Sequence, residues 1–348
     1  MIVDTAPSWK QEISDSITTA AQLALKFDMD PAPLEPVIRN FPLRISPYYL
    51  SLIRYPGDPL WRQAVPDPAE LTDACGTPDP LAEERHSPVP GLIHRYPDRV
   101  VLLVASGCAL FCRFCMRKRR IGQDITDASI AAGIDYIRQT PAIHEVVLSG
   151  GDPLMLDDAR LFDILQQIRA VSHVRLIRIH SRMPCTLPHR ITDDLARILR
   201  DMQPLYLNIH FNHPDEITAH CRNACARLAD AGIPLGSQTV LLSGVNDAPE
   251  VLHELMEQLL TLRVRPYYLH QVDRVSGTAH FQVPLETGIA LMNHLRGRLS
   301  GMGVPHFMVD LPGGGGKIPL TPDYYVKRHA DHMVFRNFEG SIFRYPLC

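Results

Sequence analysis

From Arg99 to Leu311 the chain alternates short β-branched and aliphatic runs with longer amphipathic stretches, and this alternation limits the fold more than any other feature. The runs are VVLLVA (100–105), EVVLSG (145–150), VRLIRIH (174–180), PLYLNIHF (204–211), PLGSQTVLL (234–242), RPYYLHQ (265–271) and HFMVDL (306–311). Between them, 127–138, 157–171, 192–201, 214–230, 249–262 and 285–299 read as helices, several opened by a capping Asp or Thr and closed before Gly or Pro. Parallel neighbours need a crossover long enough to hold a helix, so such a series wraps helices around a parallel sheet. It predicts an α/β fold, a complete or partial (β/α) barrel, with its chemistry on loops at the carboxyl ends of the strands. Ahead of the barrel, 10–29 reads as helical. The prolines of DMDPAPLEP, FPLRISPYYLSLI and GTPDPLAEERHSPVPG then forbid long regular elements and predict a wrapping arm. The expected organisation is an N-terminal arm (1–98), a barrel core (99–312), and a glycine-rich loop with a short C-terminal extension (313–348).

The strand ends carry reactive residue types: Cys108 after the first run, SGGDP after the second, HSR after the third, HFNHP after the fourth and HQVD after the sixth. The first is the most specific. CALFCRFC spaces Cys108, Cys112 and Cys115 as C-x3-C-x2-C, whereas a structural zinc site completes four ligands from two half-sites. Here no second half-site follows. Three thiolates on one loop suit three irons of a four-iron cluster, leaving the fourth iron open to a substrate or cofactor. Cys221 and Cys225, at i and i+4 of a helical stretch, fit a half-buried helix face, and Cys75, Cys185 and Cys348 are isolated.

Composition sets the compartment and the partners. With 45% hydrophobic residues, 21% charged residues and a formal net charge of −3, the chain has no global field for nucleic acid or a membrane surface. No apolar run approaches the ~18 residues of a membrane span, and MIVDTAPSWKQEISDS lacks the basic and apolar regions of a secretory signal. A cytoplasmic location is expected, where clustered thiols serve metals or catalysis rather than disulfides. One local patch, RKRR at 117–120, leaves room for a competing reading, a non-enzymatic metal-cluster protein that binds RNA.

DLPGGGGKIPL (310–320) looks like a phosphate loop but has Leu311 and Ile318 where that pattern needs Gly and Ser or Thr. Consecutive glycines instead let backbone approach a bulky planar ligand and adopt positive φ. A lysine presented there, Lys317, could form a Schiff base with an aldehyde cofactor.

The cysteine motif followed by SGGDP resembles the radical S-adenosylmethionine enzymes, and the chain as a whole is similar to the lysine 2,3-aminomutase family. The likeness spans about residues 41–340 and is carried by HSPVPGLIHRYPDRV, CALFCRFCMRKRR, LSGGDPL, HFNHP, SQTVLLSGVND, HQVD and VDLPGGGGK. It implies a partial (β/α) barrel of the radical S-adenosylmethionine type. Cys108, Cys112 and Cys115 would hold a [4Fe-4S] cluster whose open iron takes S-adenosylmethionine, and Lys317 would carry pyridoxal 5′-phosphate. Arg95 and Arg99 are implied for the cofactor phosphate, and Ser149, Gly150, Gly151, Asp152, His210 and Gln238 for the S-adenosylmethionine pocket. Arg117 is implied for the substrate carboxylate, which a planar guanidinium can grip by both oxygens. Asp273 and Asp310 are implied for the ε-ammonium of lysine, whereas a glutamate-acting relative would need to avoid like-charge repulsion there.

The activity implied is that of an isomerase, a lysine 2,3-aminomutase interconverting L-lysine and β-lysine. The same chemistry on arginine or ornithine, or supply of β-lysine for modification of elongation factor P, stays open. The resemblance also implies an electron donor such as flavodoxin or ferredoxin and a homo-oligomer, with neither membrane nor nucleic acid as partner. Relatives with structural zinc use a cysteine after GVND and a cysteine cluster near the C-terminus. Ala248 and the single Cys348 occupy those regions here, so zinc is not expected. Phe114 stands where relatives often carry histidine.

Overall fold

Seven parallel strands form the middle of a nine-stranded sheet in the computed structural model, which describes residues Ser8 to Leu347. They are β2 (Arg99–Ala105), β3 (Glu145–Gly150), β4 (Leu176–Ser181), β5 (Leu205–Ile209), β6 (Leu235–Leu241), β7 (Val264–Gln271) and β8 (His306–Leu311), each pairing in parallel with the next. Two antiparallel strands extend the edges: β1 (Leu92–Tyr96) beside β2, and β9 (Gly316–Leu320) beside β8. All seven sequence-predicted strands are present. The sheet also runs past both expected boundaries of the core, because β1 lies before residue 99 and β9 after residue 312.

Crossover helices follow the expected order: α6 (Asp127–Gln139), α7 (Asp158–Arg169), the short α8 (Met183–Thr186), α9 (Asp193–Asp201), α10 (Ala219–Asp230), α11 (Pro249–Thr261) and α12 (Leu285–Leu295). Thr126, Thr192 and Thr218 cap α6, α9 and α10 by accepting the N–H of the third residue on. The cap at Thr218 explains why α10 begins later than the expected residue 214, since 214–216 is a separate 3-10 turn.

Register separates the two faces of the sheet. Leu102, Leu148, Ile179, Leu207 and Leu235 lie in one row across five strands, and all are buried in the main core beneath the helices. Burying each such side chain contributes about 1.5–3 kcal/mol. The alternate rows hold Ser149, Arg178, His180 and Asn208, so the inward surface of the sheet is polar. On that surface Arg178 pairs with Glu145. A polar lumen flanked by an apolar shell is what a ligand-binding barrel requires.

The arm contains α1 (Trp9–Ser14), α2 (Ala20–Phe27), α3 (Glu35–Asn40), α4 (Pro47–Leu52) and α5 (Pro59–Ala64). The expected helix over 10–29 is split, because Ile17 leaves the helical path to bridge to Ile45. Residues 67–86 then cross the barrel mouth without long regular structure. Thr77 bridges to Val275 beyond β7, and the carbonyl of Pro80 accepts the N–H of Gly313 before β9. Beyond the barrel, β10 (Tyr325–Arg328), β11 (His332–Arg336) and β12 (Ile342–Pro346) form a separate three-stranded antiparallel sheet. Among the described residues no helix is long and apolar enough to cross a membrane.

Candidate active site at the barrel mouth

The cysteine loop leaves β2 at the carboxyl edge of the sheet. Cys112 Sγ accepts a hydrogen bond from Arg182 Nη1 at 3.0 Å, and Cys115 Sγ accepts the Arg117 N–H at 3.4 Å. Burial pushes the Cys108 and Cys115 thiols up, helped at Cys108 by the charge of Asp152 and at both by the neighbouring sulfurs. A metal's positive charge would reverse that and hold all three as thiolates. Among the described residues, no three His, Cys, Asp or Glu side chains converge on one metal-ion position. A cluster makes a different demand, one thiolate per iron, and the three-cysteine loop fits it.

The turn after β3 locks onto this loop. Gly150 has φ of +132°, and a Cβ on Gly151 would lie 2.3 Å from the carbonyl oxygen of Gly107. Only bare backbone fits there. Asp152, 5% exposed, accepts hydrogen bonds from the Ser181 hydroxyl and from the N–H groups of Arg182 and Leu154. Its carboxylate therefore ties β3 to β4.

The arm supplies the counter-charges of the loop. Glu70 is fully buried between Arg113 (2.6 Å) and Lys118 (2.8 Å). Glu83 holds Arg117 through Nε at 3.0 Å and Nη2 at 2.7 Å, and Arg119 at 3.1 Å. Arg119 also meets Asp79 and Glu84. The basic run that could have read as an RNA surface is thus largely neutralised within the chain.

On the opposite side of the mouth, the antiparallel β8–β9 pairing sets Asp310 across from Lys317. Lys317 Nζ lies 2.5 and 2.6 Å from the two carboxylate oxygens of Asp310. The connecting turn uses Gly313, Gly314 and Gly316 at φ of +68°, +78° and +90°, values open to glycine alone without strain. Arg95 Nε donates to the carbonyl of Gly314, and the hydroxyl of Tyr96 accepts the N–H of Lys317 at 2.9 Å. Arg99 stacks on the Tyr96 ring at 4.0 Å. Bare backbone, a lysine and two arginines together suit a phosphorylated aldehyde.

Two aspartates respond differently to this setting. Burial, then the charge of Asp310, raises the carboxyl of Asp273 to about 7. For Asp310 burial acts in the same sense, but His270, 3.6 Å away, and the Lys317 ammonium outweigh it and hold the carboxyl below its usual range. Three histidines share the lumen. His180 and His210 lie 6.4 Å apart, and burial followed by nearby positive charge lowers both, His210 to about 3. They stand as neutral imidazoles. Gln238, 6% exposed on β6, is in register with Tyr268 of β7.

The mouth brings together the cysteine loop, Ser149, Arg117, Asp273, Asp310 and Lys317, with Arg95 of β1 at the glycine turn and Arg99, the first residue of β2, stacked beside it on Tyr96. Sequence reasoning missed Glu70 and Glu83, and gave no role to His180, Arg182 or His270 although HSR and HQVD stood out as strand ends. Cys348 lies outside the described residues.

Residues 292–347 match the family model for lysine-2,3-aminomutase, and residues 102–256 match that of the radical SAM superfamily. The L-lysine 2,3-aminomutase of Acetoanaerobium sticklandii is 46% identical over 97% of this chain and 84% of its own length. The chain belongs to the lysine 2,3-aminomutase family. Another family member, the L-lysine 2,3-aminomutase of Clostridium subterminale, is 45% identical over 97% of this chain and 83% of its own. Glutamate 2,3-aminomutase of Clostridioides difficile is 40% identical, covering 97% and 82%. Membership of this aminomutase family thus fixes the reaction type more firmly than the amino acid, and the acidic pair must decide the latter.

Proposed function

We propose that this protein is an L-lysine 2,3-aminomutase, using a [4Fe-4S] cluster, S-adenosylmethionine and pyridoxal 5′-phosphate. One observation carries the choice of substrate. Asp310 grips a lysine ammonium, that of Lys317, by both oxygens beside a second carboxylate, Asp273. A substrate ε-ammonium finds the same attraction there, whereas a glutamate side chain would meet repulsion.

When bound, the cluster with S-adenosylmethionine supplies the initiating radical, and the aldehyde cofactor supplies the carbonyl that carries the migrating amino group. Cys108, Cys112 and Cys115 hold the cluster. Ser149, Gly150, Gly151, His210 and Gln238 line the S-adenosylmethionine pocket, with Asp152 supporting that wall from behind. Lys317 is the attachment point of the aldehyde, and Arg95 and Arg99 face its phosphate. Arg117 takes the substrate carboxylate while Asp273 and Asp310 take the far ammonium, so the chain between is stretched and carbons 2 and 3 are held in place.

A cytoplasmic location accords with the seven free cysteines among the described residues, and reduction of the cluster calls for an electron donor such as flavodoxin or ferredoxin. A homo-oligomer is supported by the apolar outer sheet, where Ile342, Phe343 and Tyr345 are 55%, 56% and 63% exposed. Anaerobic incubation with lysine, S-adenosylmethionine and a reductant, followed by chromatography, should yield β-lysine. Turnover of arginine, ornithine or glutamate with none of lysine would overturn the substrate assignment.

A further inference from the structure

Arg117 enters the mouth from a loop with no regular structure, yet recognition of a carboxylate needs a guanidinium whose plane is fixed. The side chain has five N–H donors. Glu83 engages the edge formed by Nε and Nη2, at 3.0 and 2.7 Å, and Nη1 donates to the Ser149 hydroxyl at 3.0 Å. One donor on Nη1 and one on Nη2 are left without a partner among the described residues, and with Glu83 filling the Nε side the two η nitrogens keep the end-on edge, a fork, for a further acceptor. Glu83 is itself anchored: it is 5% exposed, its N–H donates to Asp79 and its carbonyl accepts the Ser87 hydroxyl. Its partner keeps some access to the lumen, with 15% of the Arg117 side chain exposed. The neighbouring clamp differs, because Glu70 and both its partners are sealed at 2% or less.

We propose that Glu83 of the arm is the positioning residue for substrate carboxylate recognition, turning the guanidinium of Arg117 so that its end-on fork faces the bound amino acid. This rests on the reading that Arg117 takes that carboxylate. Glu83 touches no reacting atom. It acts by occupying one edge of the arginine, and because Arg119 shares its charge, Arg117 retains attraction for an incoming anion. The arm thereby belongs to the specificity apparatus of the barrel.

Holoenzyme carrying Glu83→Gln, Glu83→Ala, Arg117→Met, or Glu83→Ala with Arg117→Met tests this. The readouts are KM and kcat for lysine and competitive inhibition by 1,5-diaminopentane, which keeps both amines but lacks the carboxylate. Glu83→Ala should raise the lysine KM about tenfold, the loss of roughly 1.4 kcal/mol of carboxylate recognition. It should leave kcat within a few-fold and the diamine inhibition constant unchanged, and on top of Arg117→Met it should add little. Glu83→Gln, which keeps the volume and one acceptor, should fall between and decides the matter if the alanine variant fails to fold. An unchanged lysine KM in both Glu83 variants overturns the proposal, as does a parallel rise in the lysine and diamine constants. An unchanged lysine KM in Arg117→Met instead removes the parent reading, an outcome distinct from a failure of Glu83 alone.

Discussion

Asp273 and Asp310 share one pocket and titrate in opposite directions. Asp310 stays ionised across the working range, whereas Asp273, raised to about 7, gains its proton as the pH falls through neutrality. A protonated Asp273 offers an ammonium no charge, so kcat/KM for lysine should fall on the acid side with an apparent midpoint near 7. Asp273→Asn should abolish that limb and hold activity near its low-pH level, measured as kcat/KM against pH. The same shift bears on folding. Between the ordinary aspartate value and about 7 the unfolded chain binds fewer protons at this site than the folded one. Asp273 therefore opposes stability increasingly as pH rises through that window. Cys108, Cys112, Cys115 and Lys317 were legible as single residues because their motifs are local. Glu83 was not, since its partner lies 34 positions away and no periodicity connects them.

Among the elements, the arm's 3-10 turn (Pro68–Leu71) matters beyond its size because it carries Glu70. Removing a buried carboxylate strands its partners, here Arg113 and Lys118, at a cost of about 3–5 kcal/mol. Glu70→Ala should lower unfolding free energy by that amount in denaturant titration. It should also reduce iron per chain after reconstitution, since Arg113 lies inside the cysteine loop and Lys118 just beyond it. Strands such as β2 and β3 were readable because each buries a run of β-branched and aliphatic residues on its own. Both edge strands escaped notice for a physical reason. β1 is LIHRY, with only Leu92 and Ile93 buried, and β9 is GKIPL, whose glycine and proline signal a turn. Each becomes a strand only because a neighbour supplies its hydrogen bonds.

For the molecule as a whole, the barrel of parallel strands wrapped by helices followed from the alternation of strand and helix runs, but the path of the arm over the mouth did not. Its contacts are long-range ion pairs and single backbone bonds. The outer sheet of β10–β12 was equally silent, with Tyr325, Val326, Ile342 and Phe343 all more than 40% exposed. Replacing Phe343 and Tyr345 together by glutamate should leave the thermal midpoint of the barrel unchanged while shifting sedimentation to a smaller species. The seam of the barrel has a stricter dependence. Pro312 to Gly315 join β8 to β9, Asp310 faces Lys317 across them, and the start of β9 meets Arg95 and Tyr96 of β1. Side chains on a strand alternate, so inserting or deleting a single residue in that connection would turn the lysine outward while leaving the cysteine loop, SGGDP and the lysine itself in the chain. The number of residues in the turn is therefore as much a determinant of chemistry as the lysine itself.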